Sequence, residues 1–155
     1  MRAFYFDNIP GDQRLLHDSG IPNQVDTVAK ERSYRNSDIM TITKDGLGDL
    51  YEAKLKSFYE EHMHEDDEIR YILEGSGFWD IREHPSDSWI RCQIDAGDLL
   101  VIPAGIYHRF TLDENDMIKA LRLSKDESKW TPFKRDSSTD VHPSRVDYLK
   151  GIAVN

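Results

Sequence analysis

The feature that most constrains the fold is the pattern of residues 62–124. Short runs rich in Ile, Leu, Tyr, Phe and Trp alternate there with Gly, Asp or Pro every 8 to 12 residues, which is typical of an antiparallel sandwich or barrel. We expect hairpin turns at Gly75-Ser76-Gly77 and Ala96-Gly97-Asp98, because glycine adopts positive φ without steric cost. The candidate strands cover residues 69–74, 78–83, 88–94, 99–102, 108–112 and 117–123.

The segments on either side of this β-rich region have different patterns. The N-terminal part is mixed, and its better helical pattern runs from about 49 to 59, where Leu50, Leu55 and Phe58 share one face. After the last candidate strand the chain is polar, and we expect a poorly regular tail with a short helical turn near 144–149. We therefore predict one mainly β domain over residues 1–155, with a mixed segment 1–60, a barrel core 61–124 and a wrapping tail 125–155.

Composition argues against several functions and locations. The 20 basic and 29 acidic residues give a net charge of −9, so the protein repels a phosphate backbone and nucleic acid is not an expected partner. The longest apolar run, Leu99–Tyr107, contains Pro103 and Gly105 and is too short to cross a bilayer, so no membrane is expected either.

Two further features bear on location. A secretion signal consists of a basic segment, an apolar stretch and a small-residue cleavage site. The sequence does not open with this pattern, so secretion is not expected. The single thiol, Cys92, cannot close an internal disulfide, so a reducing compartment, the cytoplasm, is the predicted location. The sequence leaves open an additional nuclear location and the oligomeric state, although a small barrel of this kind can act as a monomer.

A His-x-His pair beside an acidic run, residues 65–68, is the first candidate site. Because side chains alternate across a strand, His62 and His64 project to the same side and can reach one ion together. Glu68 keeps that parity at the start of the next candidate strand, although the acids at 65–67 offer the same chemistry. His108 supplies a third imidazole at the head of a later candidate strand.

Three imidazoles and one carboxylate suit first-row ions such as Fe, Ni, Cu or Zn. An octahedral ion held this way keeps open positions, which a chelating substrate requires. The other histidines, His17, His84 and His142, lack such surroundings, and we expect them to be ordinary surface or core residues.

Two motifs in this region resemble those of the cupin superfamily, G-x5-H-x-H-x3-4-E-x6-G and G-x5-P-x-G-x2-H-x3-N. Lys56 and Leu112 depart from the first Gly and the final Asn of these motifs, but neither position supplies a ligand. The resemblance implies a cupin-type double-stranded β-helix, or jelly-roll barrel, with a few peripheral helices. The matching residues are His62, His64, Glu68 and Gly75 in the first motif and Gly97, Pro103, Gly105 and His108 in the second.

A narrower resemblance covers residues 58–132. The segment Phe58-Tyr-Glu-Glu-His-Met-His-Glu-Asp-Asp-Glu-Ile-Arg-Tyr-Ile-Leu and the segment Pro103-Ala-Gly-Ile-Tyr-His-Arg-Phe-Thr-Leu resemble the acireductone dioxygenases of methionine salvage. The resemblance implies one Fe²⁺ or Ni²⁺ ion per chain and a reaction between O2 and 1,2-dihydroxy-3-keto-5-(methylthio)pentene. In this family the iron form produces 2-keto-4-methylthiobutyrate and formate, whereas the nickel form produces methylthiopropionate, formate and carbon monoxide.

Residues around the ligands suggest a substrate pocket. Arg70 follows Glu68 by two, so strand parity directs it into the same cavity, where a guanidinium can stabilise an enediolate as a catalytic group. The alternative for Arg70 is a surface salt bridge with the acidic run. The family resemblance places Phe58, Phe110 and Trp130 around the substrate, and Arg122 matches a family arginine whose face parity does not settle.

Two other functions fit the same residues. One is a different cupin enzyme, a dioxygenase or isomerase on another small chelating substrate. The other is a non-catalytic cupin that binds a small molecule or a protein partner. An apolar wall together with Arg70 favours acireductone chemistry over the first, and the full set of four ligands argues against the second, because non-catalytic cupins often lose ligands.

Overall fold

The computed structural model describes residues 23–125 and 131–153, and an antiparallel β-structure dominates it. The mainly β fold class with peripheral helices is confirmed. The strands are β1 Asn36–Thr43, β2 His62–Met63, β3 Glu68–Arg82, β4 Trp89–Asp95, β5 Leu99–Ile102, β6 His108–Leu112, β7 Met117–Ser124 and β8 Phe133–Lys134. The helices are α1 Asn23–Glu31, α2 Lys44–Leu47, α3 Tyr51–Tyr59, α4 Ser137–Asp140 and α5 Pro143–Ala153, with a 3₁₀ turn at Gly48–Leu50.

The long strand β3 passes through two sheets. Its first half pairs with β5 and β7, and its second half pairs with β4 and β6. At the bend, Gly75 has a φ of 77°, and a Cβ there would lie 2.1 Å from the carbonyl oxygen of Met117, so only glycine fits. The predicted hairpin at Gly75-Ser76-Gly77 is therefore wrong, since the candidate strands 69–74 and 78–83 form one bent strand.

The predicted hairpin at Ala96-Gly97-Asp98 is also wrong. In the described chain β4 and β5 both pair antiparallel with β3, one beyond its bend and one before it, rather than with each other. The turn at residues 96–98 packs on the bend of β3 through two backbone hydrogen bonds. The Ile72 amide donates to the Asp98 carbonyl (2.9 Å), and the Ile72 carbonyl accepts from the Gly97 amide (2.8 Å). The chain reverses instead at residues 83–88, between β3 and β4.

The two ends of the described chain are more regular than expected. The helix predicted at 49–59 is present as the 3₁₀ turn followed by α3. Strand β1, which pairs antiparallel with β7, was not predicted, because Ile42 is its one buried residue and no alternation marks it. Residues 131–153 of the tail are more regular than expected, since they form β8, α4 and α5, and the helical turn expected near 144–149 lies within the eleven-residue helix α5.

Side chains of β3 are buried on both faces of its sheet. Ile69 and Tyr71 pack with Val25 of α1, whereas Ile72 packs with Ile118 in the barrel interior. Glu68 and Arg70 share the parity of Ile72 and are therefore directed into the barrel. No helix in the described ranges is both long enough and apolar enough to span a bilayer.

Candidate metal centre

The four predicted metal ligands converge at one end of the barrel. His62 and His108 are directly opposite each other on β2 and β6, Glu68 begins β3, and His64 lies in the turn that joins β2 to β3. One donor atom from each residue lies within 4.8 Å of those of the other three. Such a separation allows all four to reach one ion.

Backbone carbonyls orient all three imidazole rings. A carbonyl oxygen can only accept, so each Nδ1 carries a proton, and in the neutral ring Nε2 keeps its lone pair for a metal. Metal-binding histidines are typically oriented by such contacts. The contacts are His62 Nδ1 to Glu60 O (2.7 Å), His64 Nδ1 to Thr131 O (3.1 Å) and His108 Nδ1 to Ile106 O (3.0 Å).

The lone pairs of these rings face another acceptor. His108 Nε2 lies 3.0 Å from Glu68 Oε2, and His64 Nε2 lies 3.3 Å from the same oxygen. Two acceptors at this distance repel each other, whereas a shared cation between them makes the arrangement favourable. The donor set therefore fits a divalent transition ion.

Burial and neighbouring charges hold two of the ligands, His62 and Glu68, in the protonation states that bind metal. Burial, reinforced by the adjacent imidazoles, lowers the pKa of His62 to about 4, so this ring is neutral at pH 7. Burial alone would raise the pKa of Glu68, but the charge of Arg70 and the imidazoles of His108 and His64 beside its carboxylate hold that pKa well below the ordinary value. His62 thus offers a neutral nitrogen and Glu68 a carboxylate, the forms in which these groups bind metal.

Two arginines line the cavity beside the ligands. Arg70 is only 5% exposed, with Nη2 3.3 Å from Glu68 Oε1 and Nη1 donating to the carbonyl of Ile69 (3.0 Å). It thus lies inside the barrel, and the alternative of a surface salt bridge with the acidic run is wrong. Arg122 stands opposite Arg70 across β3 and β7, and its Nε donates to Asp38 Oδ1 (2.9 Å). The face of Arg122, which the sequence left open, is the cavity side.

The cavity has a volume of about 420 Å³ and a partly aromatic wall. Phe58 and Phe110 both lie in this wall, with ring centroids 6.2 Å apart. Trp130, expected beside them, lies outside the described residues. Sequence reasoning missed Trp79, whose ring centroid is 4.3 Å from that of Phe110, and it missed Lys54 of α3.

A register shift in β3 explains why Trp79 was missed. The pairing with β7 is irregular between Ile72 and Glu74. Beyond this shift the odd-numbered residues face the barrel interior, so Trp79 lies directly opposite Phe110. Parity counted from Glu68 would have placed Trp79 outside, and no feature of the sequence marks the shift apart from Gly75.

Comparison with known proteins identifies the family. The model of the ARD/ARD' family, the acireductone dioxygenases, matches residues 18–132. The chain belongs to this family. Acireductone dioxygenase 1 of Coprinopsis cinerea is 57% identical, over 99% of this chain and 99% of that protein. The acireductone dioxygenase of Phaeosphaeria nodorum is 47% identical, over 97% of this chain and 96% of that protein.

A solved structure of the same family extends the comparison. The acireductone dioxygenase from Bacillus anthracis, with a cadmium ion in its active centre, matches with a TM-score of 0.65 and 26% identity. The match covers 72% of this chain and 62% of that chain. The resemblance to acireductone dioxygenases and the assignment as a metal-binding dioxygenase are thereby confirmed.

Proposed function

We propose that the protein cleaves the acireductone 1,2-dihydroxy-3-keto-5-(methylthio)pentene with O2 in methionine salvage. The observation that carries this proposal is the convergence of four metal-type donors within 4.8 Å of one another at a cavity of about 420 Å³. With Fe²⁺ the products are 2-keto-4-methylthiobutyrate and formate. With Ni²⁺ they are methylthiopropionate, formate and carbon monoxide.

One Fe²⁺ or Ni²⁺ ion per chain is the proposed cofactor. His62, His64, Glu68 and His108 would hold it, and its donor set of three nitrogens and one oxygen suits both metals. When bound, such an ion supplies Lewis-acid coordination for a chelating enediol. Because all four donors come from one chain, we propose that a monomer is sufficient for activity.

The two arginines would neutralise the substrate. An enediol that loses protons carries negative charge on adjacent oxygens, and fixed guanidinium groups stabilise such charge strongly where water is excluded. Arg70 is buried beside Glu68, which places its charge next to the metal site and supports a catalytic role. Arg122 is held by Asp38 on the same wall and would bind the substrate.

The aromatic wall would receive the methylthio end of the substrate. Phe58, Phe110 and Trp79 present an apolar surface on one side of the cavity. Such a surface favours an apolar tail and keeps bulk water from the reacting end. Trp130 remains a predicted member of this wall.

Turnover of acireductone under controlled oxygen tests the proposal. Metal-free protein would be loaded with Fe²⁺ or Ni²⁺ without oxygen and mixed with acireductone. Air would then be admitted and the products identified by NMR, with metal-free protein as the control. We expect formate with the keto acid from the iron form, and carbon monoxide with methylthiopropionate from the nickel form.

Two results would contradict the proposal. Oxygen consumption no faster than that of the metal-free control would indicate a non-catalytic binding protein. Turnover of another chelating substrate in place of acireductone would indicate a different cupin enzyme.

A further inference from the structure

The C-terminal segment, residues 131–153, contacts the part of the chain that carries the His-x-His pair. Strand β8 pairs with β2, so that Lys134 stands opposite His62. The carbonyl of Thr131 accepts from Nδ1 of His64 (3.1 Å), and the Arg135 amide donates to the carbonyl of Glu61 (3.2 Å). Nearly all of this segment lies beyond residues 18–132, which the family model matches.

A buried arginine of the same segment contacts the loop that precedes the third imidazole. Arg145 of α5 is only 6% exposed, and its Nη1 donates to the carbonyl of Gly105 (3.1 Å). Its guanidinium carbon lies 4.6 Å from the ring centroid of Tyr107. Gly105 has a φ of 78°, and a Cβ there would lie 2.2 Å from the carbonyl oxygen of Ser144. The loop and α5 thus approach each other backbone to backbone.

The loop around Gly105 connects Arg145 with the backbone of His64 and with the ring of His108. The Gly105 amide donates to the carbonyl of His64 (3.0 Å), one peptide before the carbonyl that Arg145 contacts. The next carbonyl, that of Ile106, accepts from Nδ1 of His108 (3.0 Å). A shift of this loop would therefore move the backbone of His64 and the ring of His108 together.

A second contact anchors the same loop. The hydroxyl of Tyr107 lies 2.8 Å from Oγ1 of Thr139 and donates to Oδ1 of Asp140 (2.9 Å), both in α4. The loop is thereby held by two successive helices of the C-terminal segment.

We propose that Arg145 is a positioning residue for the metal centre. It fixes the loop 103–108 through Gly105, and thereby sets the positions of His64 and His108. This inference rests on the proposed metal site. A guanidinium bound to a carbonyl forms a charge-assisted hydrogen bond, and loss of a group that orients metal ligands typically weakens metal binding by about 10- to 100-fold.

Metal affinity measured without turnover tests this role. Arg145→Met removes the donors and keeps much of the side-chain length, whereas Arg145→Lys keeps a charged donor. The dissociation constant for Co²⁺ would be measured on metal-free protein by chelator competition, together with the visible Co²⁺ spectrum. We expect Arg145→Met to weaken binding by about tenfold or more and to change the spectrum, and Arg145→Lys to recover much of the loss.

Two controls separate positioning from general stability. Lys150→Met removes a cation from an exposed position of α5, and Val25→Ala removes core contacts under α1. We expect both to retain the wild-type Co²⁺ affinity, although Val25→Ala lowers the unfolding temperature. A wild-type affinity and spectrum in Arg145→Met, with only a lower unfolding temperature, would overturn the proposal.

A milder variant covers failure of Arg145→Met to fold. Tyr107→Phe removes only the hydroxyl that contacts α4, and we expect it to weaken Co²⁺ binding in the same direction. An unchanged affinity there would overturn the proposal. Absence of Co²⁺ binding in the wild-type protein would overturn the metal site itself, which distinguishes failure of the proposed function from failure of this inference.

Discussion

Glu68 and Asp80 are buried carboxylates on the same strand, yet their surroundings differ in kind. Asp80 receives three guanidinium hydrogen bonds, from Arg91 at 2.7 and 2.9 Å and from Arg109 at 2.8 Å. Glu68 faces Arg70 at 3.3 Å and two imidazole nitrogens at 3.0 and 3.3 Å. Both carboxylates thus lie beside a guanidinium, but only Glu68 also faces two imidazole nitrogens.

This difference separates a structural carboxylate from a metal ligand. Hydrogen bonds from Arg91, which outweigh the effect of burial, and from Arg109 lower the pKa of Asp80, and both of its oxygens are occupied. Glu68 Oε2 instead lies 3.3 Å from Nε2 of His64 and 3.0 Å from Nε2 of His108. Both residues are buried and both have a lowered pKa. The groups that contact each carboxylate therefore distinguish the metal ligand from the structural residue.

Removal of each carboxylate should give the largest contrast. We expect Glu68→Ala to weaken metal binding by more than about a hundredfold, above the range for groups that only orient ligands, and to abolish turnover. Asp80→Asn should keep its full metal content. Elemental analysis and oxygen uptake would measure both, and full metal content and turnover in Glu68→Ala would show that the ligand assignment is wrong.

Removal of an arginine from each carboxylate is the next contrast. Arg70→Ala should lower kcat/KM for acireductone by about 10²- to 10³-fold, because a fixed charge beside the substrate is lost, while metal is retained. Arg91→Ala, which removes a half-exposed partner of Asp80, should leave kcat/KM unchanged. Loss of metal from Arg70→Ala would instead indicate a structural role.

A smaller effect is expected on the free energy of unfolding when the Asp80 carboxylate is removed. Asp80→Asn leaves Arg91 and Arg109 without their counter-charge, and we expect the free energy of unfolding to fall by about 1–3 kcal/mol. Urea denaturation of the metal-free protein measures this loss. A variant as stable as the wild type would show that the ion pairs around Asp80 contribute nothing to folding.

The smallest expected effect is a pH dependence of the stability lost in Asp80→Asn. The pKa of Asp80 is lower in the folded protein than its ordinary value of 3.8, so its ion pairs stabilise the fold above that pH and lose effect as pH falls through the folded pKa. The stability difference between the wild type and Asp80→Asn should therefore shrink below about pH 4. A difference that stays constant in urea titrations from pH 6 to about pH 2.5 would contradict this.

Much of the site could be predicted because its signals are local. The His-x-His pair and Glu68 lie within seven residues, and His108 stands at the start of a strand whose predicted range, 108–112, matches β6. The range 99–102 likewise matches β5. Short apolar runs between turn residues are sufficient for such elements.

The remaining parts depend on tertiary structure. Strand β1 carries polar exposed residues and is stabilised by its pairing with β7, so its own sequence does not mark it. The bend of β3 inverts its parity, which directs Trp79 inward and Asp80 outward. The contact of Arg145 with Gly105 joins residues 40 apart, and neither residue alone indicates it.

The most direct measurement is anomalous diffraction at the absorption edge of a bound metal, from crystals of the protein loaded with Fe²⁺ or Ni²⁺. The proposed ligand set predicts one peak per chain, with Nε2 of His62, His64 and His108 and a carboxylate oxygen of Glu68 all at about 2.0–2.2 Å. A peak elsewhere, or a peak from which any of these four donors is absent, would contradict it.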